Sequence, residues 1–111
     1  MEVSSKQFKH CDLVTVSGRV DSATSPKLAE VLDGLQNDGR FKIVLDLAEV
    51  EFMSSAGFRV LVAAQRNSKK LARGEIVLAS VPANINSALE LAGFDTILRT
   101  FPDQTSAVGS F

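Results

Sequence analysis

Two short stretches of this chain, Ile43-Val44-Leu45 and Ile76-Val77-Leu78-Ala79, are apolar without interruption, and each is flanked by segments of helical period. Strands that are apolar on both faces belong in the interior of a sheet covered on both sides, which is the habit of parallel sheets. The first lies within Phe41–Leu47. Before it, Leu28, Val31, Leu32 and Leu35 fall at i, i+3, i+4 and i+7 of an amphipathic helix that stops at Gly39. Ser25 ahead of Pro26 reads as its N-cap, with proline at the first helical position.

Two further strands open the chain. Val3–Phe8 and the β-branched run Leu13–Val16 flank the turn His10-Cys11-Asp12 and are expected to form an antiparallel hairpin. A second helix is expected from about Phe58 to Leu71, closed by Gly74. A third carries Ile85, Ala88, Leu89 and Ala92 and ends at Gly93, and Thr96-Ile97-Leu98 reads as a last strand. The tail, residues 102–111, is expected to hold one or two helical turns. The order β, β, α, β, α, β, α, β predicts an α/β fold: a mixed, mostly parallel sheet of about five strands with helices mainly on one face. A length of 111 residues fits a single domain over 1–111.

Composition excludes several functions. Twelve basic and thirteen acidic residues give a net charge of −1, without the basic excess of sequence-independent nucleic-acid binding. No Trp or Tyr offers a stacking platform for bases. One His and one Cys, adjacent at 10 and 11, provide no metal-ligand spacing, so neither metal nor cofactor is expected. A lone cysteine, no transmembrane run and no signal-peptide pattern point to the cytoplasm. Arg66, Lys69, Lys70 and Arg73 form the densest basic cluster, read as a solvated helix end near the negative pole of the dipole.

The segment Phe52-Met53-Ser54-Ser55-Ala56-Gly57 joins the buried strand to the second helix. A hydroxyl there can cap the helix, and a phosphate on it would meet free N–H groups and the positive end of the dipole. Capping logic alone does not separate Ser54 from Ser55, and capping and phosphate acceptance are compatible. Asp21, after Gly18-Arg19-Val20, reads either as a turn former bonded to its own backbone or as a group placed beside Ser55 where the carboxyl ends of parallel strands converge. Ser55, His10 and Asp21 formally supply a Ser-His-Asp set, but no Gly-x-Ser-x-Gly elbow surrounds Ser55. No phosphate loop with Gly-Lys-Ser/Thr occurs either. An enzyme is not expected.

The run from Ile43 to Leu61, with Asp46-Leu47, Phe52, Ser55 and Gly57, resembles the central signature of the STAS family. Gly18-Arg19-Val20-Asp21 with Thr24, and Leu89-Glu90-Leu91-Ala92-Gly93-Phe94, resemble its other recurrent stretches, in the right order. Within that family the anti-sigma factor antagonists are small, free-standing proteins of about this length. The resemblance implies that the unphosphorylated protein binds an anti-sigma factor that is also a serine kinase of the histidine-kinase-like ATPase superfamily, which frees a sigma factor. Phosphorylation then dissolves the complex, and a phosphatase restores it. By position the phosphoacceptor maps to Ser55, with Ser54 a second candidate, and the acid beside the site to Asp21. Partner contact is implied for Asp21, Thr24, Ser54, Ala56 and Gly57. Asp46 matches the acid at the end of the central strand and is read as fixing the loop after it. Ser54 stands where many members carry aspartate, and Ala56 where a hydroxyl residue is frequent. The same fold also serves as a subunit of lipid-transport ATPase complexes, as a stress-signalling scaffold part, and as the tail of anion transporters.

Overall fold

A computed structural model describes residues 1–70 and 73–111. The predicted hairpin is present: β1 (Glu2–Gln7) pairs antiparallel with β2 (Asp12–Val20), with Val3 opposite Val16. The chain continues through α1 (Ser25–Asn37), β3 (Lys42–Met53), α2 (Ser55–Lys69), β4 (Glu75–Ala79) and α3 (Ala83–Leu91). A 3₁₀ turn (Phe94–Thr96), β5 (Thr100–Phe101) and α4 (Gln104–Gly109) complete it. The five strands lie in sequence order, and every pairing after the first is parallel.

Strand alternation builds two unequal layers. Val14, Val16, Ile43, Leu45, Leu47, Ile76 and Leu78 face α1, α2 and α3, which bring Leu28, Leu32, Phe58, Leu61, Ile85 and Leu89 down onto them. Leu13, Val44, Val77 and Ala79 face the other way and are covered by the C-terminal segment through Ala107, Val108 and Phe111. The tail residues 102–111 thus form the second layer: α4 is capped by Asp103, whose carboxylate accepts from the Ser106 N–H at 2.7 Å.

Five local expectations are corrected. Ser25 does not cap α1: it is the first helical residue and buried, and Thr24 precedes the helix. Strand β3 runs six residues beyond Leu47, because β2 also extends to Val20 and keeps pairing with it across two register shifts. Thr96-Ile97-Leu98 is no strand. Phe94 packs on Phe58, with ring centroids 6.2 Å apart, and Leu98 is buried, so the chain turns there and pairs with β4 only at 100–101. Asp46 does not end its strand; it lies within β3 opposite Thr15 and Ala79. Its carboxylate accepts from the Ala48 N–H at 3.0 Å and from the Gln104 side chain, joining the central strand to α4. Helix α2 starts at Ser55, three residues earlier than expected, and the expected end at Leu71 lies outside the described residues.

Candidate functional site

The carboxyl ends of β2 and β3 leave the sheet side by side, with Val20 in register with Met53. The next residues are bonded together: the Ser54 N–H donates to the Val20 carbonyl at 2.8 Å. The Asp21–Thr24 loop and the start of α2 therefore occupy one edge of the molecule, as the turn from strand to helix in parallel sheets requires.

Within the loop, Asp21 bonds its own backbone. Its Oδ1 accepts from the Ala23 N–H at 3.0 Å and the Thr24 N–H at 3.1 Å, while the Asp21 N–H donates to the Thr24 hydroxyl at 2.9 Å. The Thr24 hydroxyl also lies 2.9 Å from the Arg19 carbonyl. The Thr24 amide, then its hydroxyl and the Ala23 amide, hold the Asp21 carboxyl below its ordinary range, so it is an anion at neutral pH. Turn formation and a place at the strand ends hold for the same residue.

The two serines differ. Ser54 sits in extended conformation at the N-cap (φ −82°, ψ 173°), with its Oγ buried and without a hydrogen-bond partner. No side-chain bond closes the first turn of α2. Ser55, one residue on, is exposed. Gly57 lies beneath them, buried: a Cβ there would stand 2.6 Å from Met53 Cγ and 2.9 Å from Val20 Cγ1. Its lack of a side chain lets the first turn of α2 settle onto the strand ends. Ala56 is half-buried and opens a groove of about 570 Å³ between α1 and α2, floored by Leu32, Gln36 and Ala64. Gln36 bridges the two helices, donating to the Ala64 carbonyl and the Ser68 hydroxyl at 2.9 Å and accepting from Asn67 at 2.7 Å.

Two features of the structure were not anticipated from sequence. The Arg19 guanidinium lies over the Phe52 ring, 4.5 Å from its centroid, and leaves that aromatic part-exposed beside the serine junction. Buried Gln65 joins α2 to β4 and the 94–98 turn, bonding both the N–H and the carbonyl of Ile76 and the carbonyl of Ile97. Hydrophobic periodicity reads α2 positions as core without showing that one is polar and satisfied. His10, by contrast, lies in the β1–β2 turn at the opposite end of the sheet from Ser55, so no Ser-His-Asp set assembles. Among the described residues, no helix is long and apolar enough to cross a membrane.

Comparison with known proteins agrees with this architecture. The Listeria monocytogenes "Anti-sigma-B factor antagonist" is 29% identical over 98 residues, spanning 88% of this chain and 84% of that protein. The protein of the same name from Staphylococcus aureus is 30% identical over 89 residues, 77% of this chain and 78% of its own. Among solved structures, an anti-sigma factor antagonist from Mycobacterium paratuberculosis superposes with a TM-score of 0.87 at 23% identity, over 98% of this chain and 92% of that one. The Bacillus cell fate determinant SpoIIAA in its phosphorylated form gives 0.77 at 12% identity, over 98% of each chain. A family model described as "Mlab, STAS domain" matches residues 4–100, nearly the whole sheet and all three large helices. The chain belongs to the STAS domain family.

Proposed function

We propose that this chain is an anti-sigma factor antagonist, a binding module without catalytic chemistry of its own, switched off by phosphorylation at Ser55. The unphosphorylated protein binds an anti-sigma factor that is also a serine kinase, and so releases a sigma factor. A phosphatase restores the binding form. The observation that carries the reading is the difference between neighbours: the Ser55 side chain stands in solvent at the start of α2, while the Ser54 hydroxyl is buried. A phosphate on Ser55 adds about −1.5 to −2 charges next to the positive end of the helix without displacing a core group. The same charge arrives on the edge that already carries the Asp21 anion. A partner docked over 21–24 and 54–56 meets an altered surface on an unaltered fold. Names of relatives at 29% and 30% identity support the partner class.

A second reading makes the chain a constitutive STAS subunit of a lipid-transport ATPase complex or a stress-signalling scaffold. Ser54, at the position where the family resemblance implies an aspartate, favours it.

Incubation with the cognate kinase and ATP, followed by phosphopeptide mass spectrometry, tests the switch. Label on Ser55 that vanishes in Ser55→Ala and persists in Ser54→Ala is expected. Label confined to Ser54 would move the acceptor. Absence of label with tight ATPase binding retained would favour the transport subunit.

A further inference from the structure

At the opposite end of β3 from Ser55, the turn after β1, the start of β2 and the entry to β3 enclose a pocket of about 300 Å³. Lys9, His10, Arg40, Lys42 and Arg73 line it, and its single acid is Asp12. Asp12 is buried and already engaged: its Oδ2 lies 2.6 Å from Arg40 Nε. Arg40 also donates to the Phe8 carbonyl at 3.1 Å, which fixes its guanidinium as part of the wall. Lys9, Lys42 and Arg73 are exposed, and neither of the two ion pairs found among the described residues uses them. A chain of net charge −1 therefore gathers three unmatched cations around one small concavity.

This convergence is built by the backbone. Gly74 packs so closely on Phe41 that a Cβ would lie 2.3 Å from the Phe41 carbonyl oxygen. That approach presses the chain returning from α2 against the entry to β3 and brings Arg73 beside Lys42. The Arg73 guanidinium is steadied over the Phe41 ring, 5.5 Å from its centroid. Next to the pocket, Lys42 and Arg73 line a second hollow with Lys69, Glu75 and Phe111, and its one acidic side chain, Glu75, is already engaged by Arg99 at 2.8 Å.

We propose that this pocket binds a small soluble anion carrying at least two phosphate groups. Like charges gathered without a counter-charge repel one another, and an anion relieves that repulsion. Two phosphates carry about three to four negative charges in a compact volume, which matches Lys9, Lys42 and Arg73. Guanidinium and ammonium groups are the side chains suited to phosphate oxygens. An acidic peptide would spread its carboxylates over several residues and outrun a site at the small end of the ligand-pocket range of roughly 300–1,000 Å³.

The test is an amide NMR titration of the whole chain with sodium tripolyphosphate at low salt, with vesicles bearing an anionic phospholipid headgroup in parallel. Saturable shifts confined to residues 9–12, 39–42 and 73–75, with a Kd below about 1 mM, are expected. The triple variant Lys9→Gln, Lys42→Gln, Arg73→Gln should weaken binding at least about tenfold, since three charge-assisted contacts are lost. A variant removing three cations elsewhere (Arg19→Gln, Lys27→Gln, Arg59→Gln) should stay within about twofold, and Ser55→Ala should leave binding unchanged. Shifts spread over all basic residues, equal weakening in both triple variants, no saturation, or binding to vesicles alone would each overturn the proposal.

Discussion

The backbone N–H of Ser54 donates to the carbonyl of Val20 at 2.8 Å, and this bond fixes the entry to α2 while the Ser54 side chain contributes none of its own. At an ordinary N-cap, serine to alanine costs about 1 kcal/mol because a side-chain bond to the first turn is lost. Here the hydroxyl is buried and unpartnered. Ser54→Ala is therefore expected to change stability by less than about 0.5 kcal/mol, or to raise it, as removing an unsatisfied polar atom does. Denaturant midpoints at constant m-value check this; a loss of 1 kcal/mol would mean that the hydroxyl caps in solution.

On the proposed function, charge at the next position should act on the partner and not on the fold. Ser55→Asp is expected to weaken binding to the anti-sigma factor at least about tenfold by calorimetry, with Ser55→Ala within a few-fold of wild type. Thermal midpoints of both should stay close to the parent, because Ser55 is exposed and makes no capping bond.

Two glycines mark close approaches of different hardness. At Gly57 a Cβ would meet the ends of the Met53 and Val20 side chains, which can shift, so Gly57→Ala should cost about 1–2 kcal/mol. At Gly74 it would meet the Phe41 carbonyl 2.3 Å away, and backbone does not yield as cheaply. Gly74→Ala should cost about 3 kcal/mol or more, and urea titrations of the pair should keep that order.

Gln65→Leu keeps the volume but strips partners from the Ile76 N–H and from the carbonyls of Ile76 and Ile97. A loss of about 2–4 kcal/mol is expected from equilibrium unfolding, since buried groups are left unsatisfied. Amide exchange should accelerate first at Ile76.

Asp21 titrates below the ordinary aspartate range because the Thr24 amide, followed by the Thr24 hydroxyl and the Ala23 amide, favours its anion. A depressed folded-state value means that the loop's contribution is complete above the ordinary aspartate range. It is lost as pH falls through the depressed value. NMR titration of the carboxyl should place its midpoint below those of solvated aspartates, and Asp21→Asn should abolish the accompanying shift of the Thr24 amide.

How far the sequence reveals this molecule depends on the range of the forces involved. The apolar runs at 43–45 and 76–79, and the leucine stripe of α1, disclose the sheet core and the face that carries the three large helices. The second half of β3 is hidden because Ala48, Glu49, Glu51 and Phe52 stay exposed, so pairing with β2 defines the strand there and burial does not. The 94–98 turn reads falsely as strand because Phe94 and Leu98 are anchors of a turn. Ser54 and Ser55 are equivalent to any capping argument, and only the path of the backbone gives them opposite surroundings. Lys9, Arg40, Lys42 and Arg73 are scattered in sequence and meet only because the parallel strands start at one end.

The buried position of Gly57, directly under the serine junction, has a consequence for how sharply a switch built here responds. A covalent mark placed on a loose loop can be absorbed by the loop changing shape, and an approaching protein then senses a blurred difference. Ser55 instead rides on a turn clamped to Val20 and Met53, so whatever is attached to it is delivered at a fixed point and in a fixed direction.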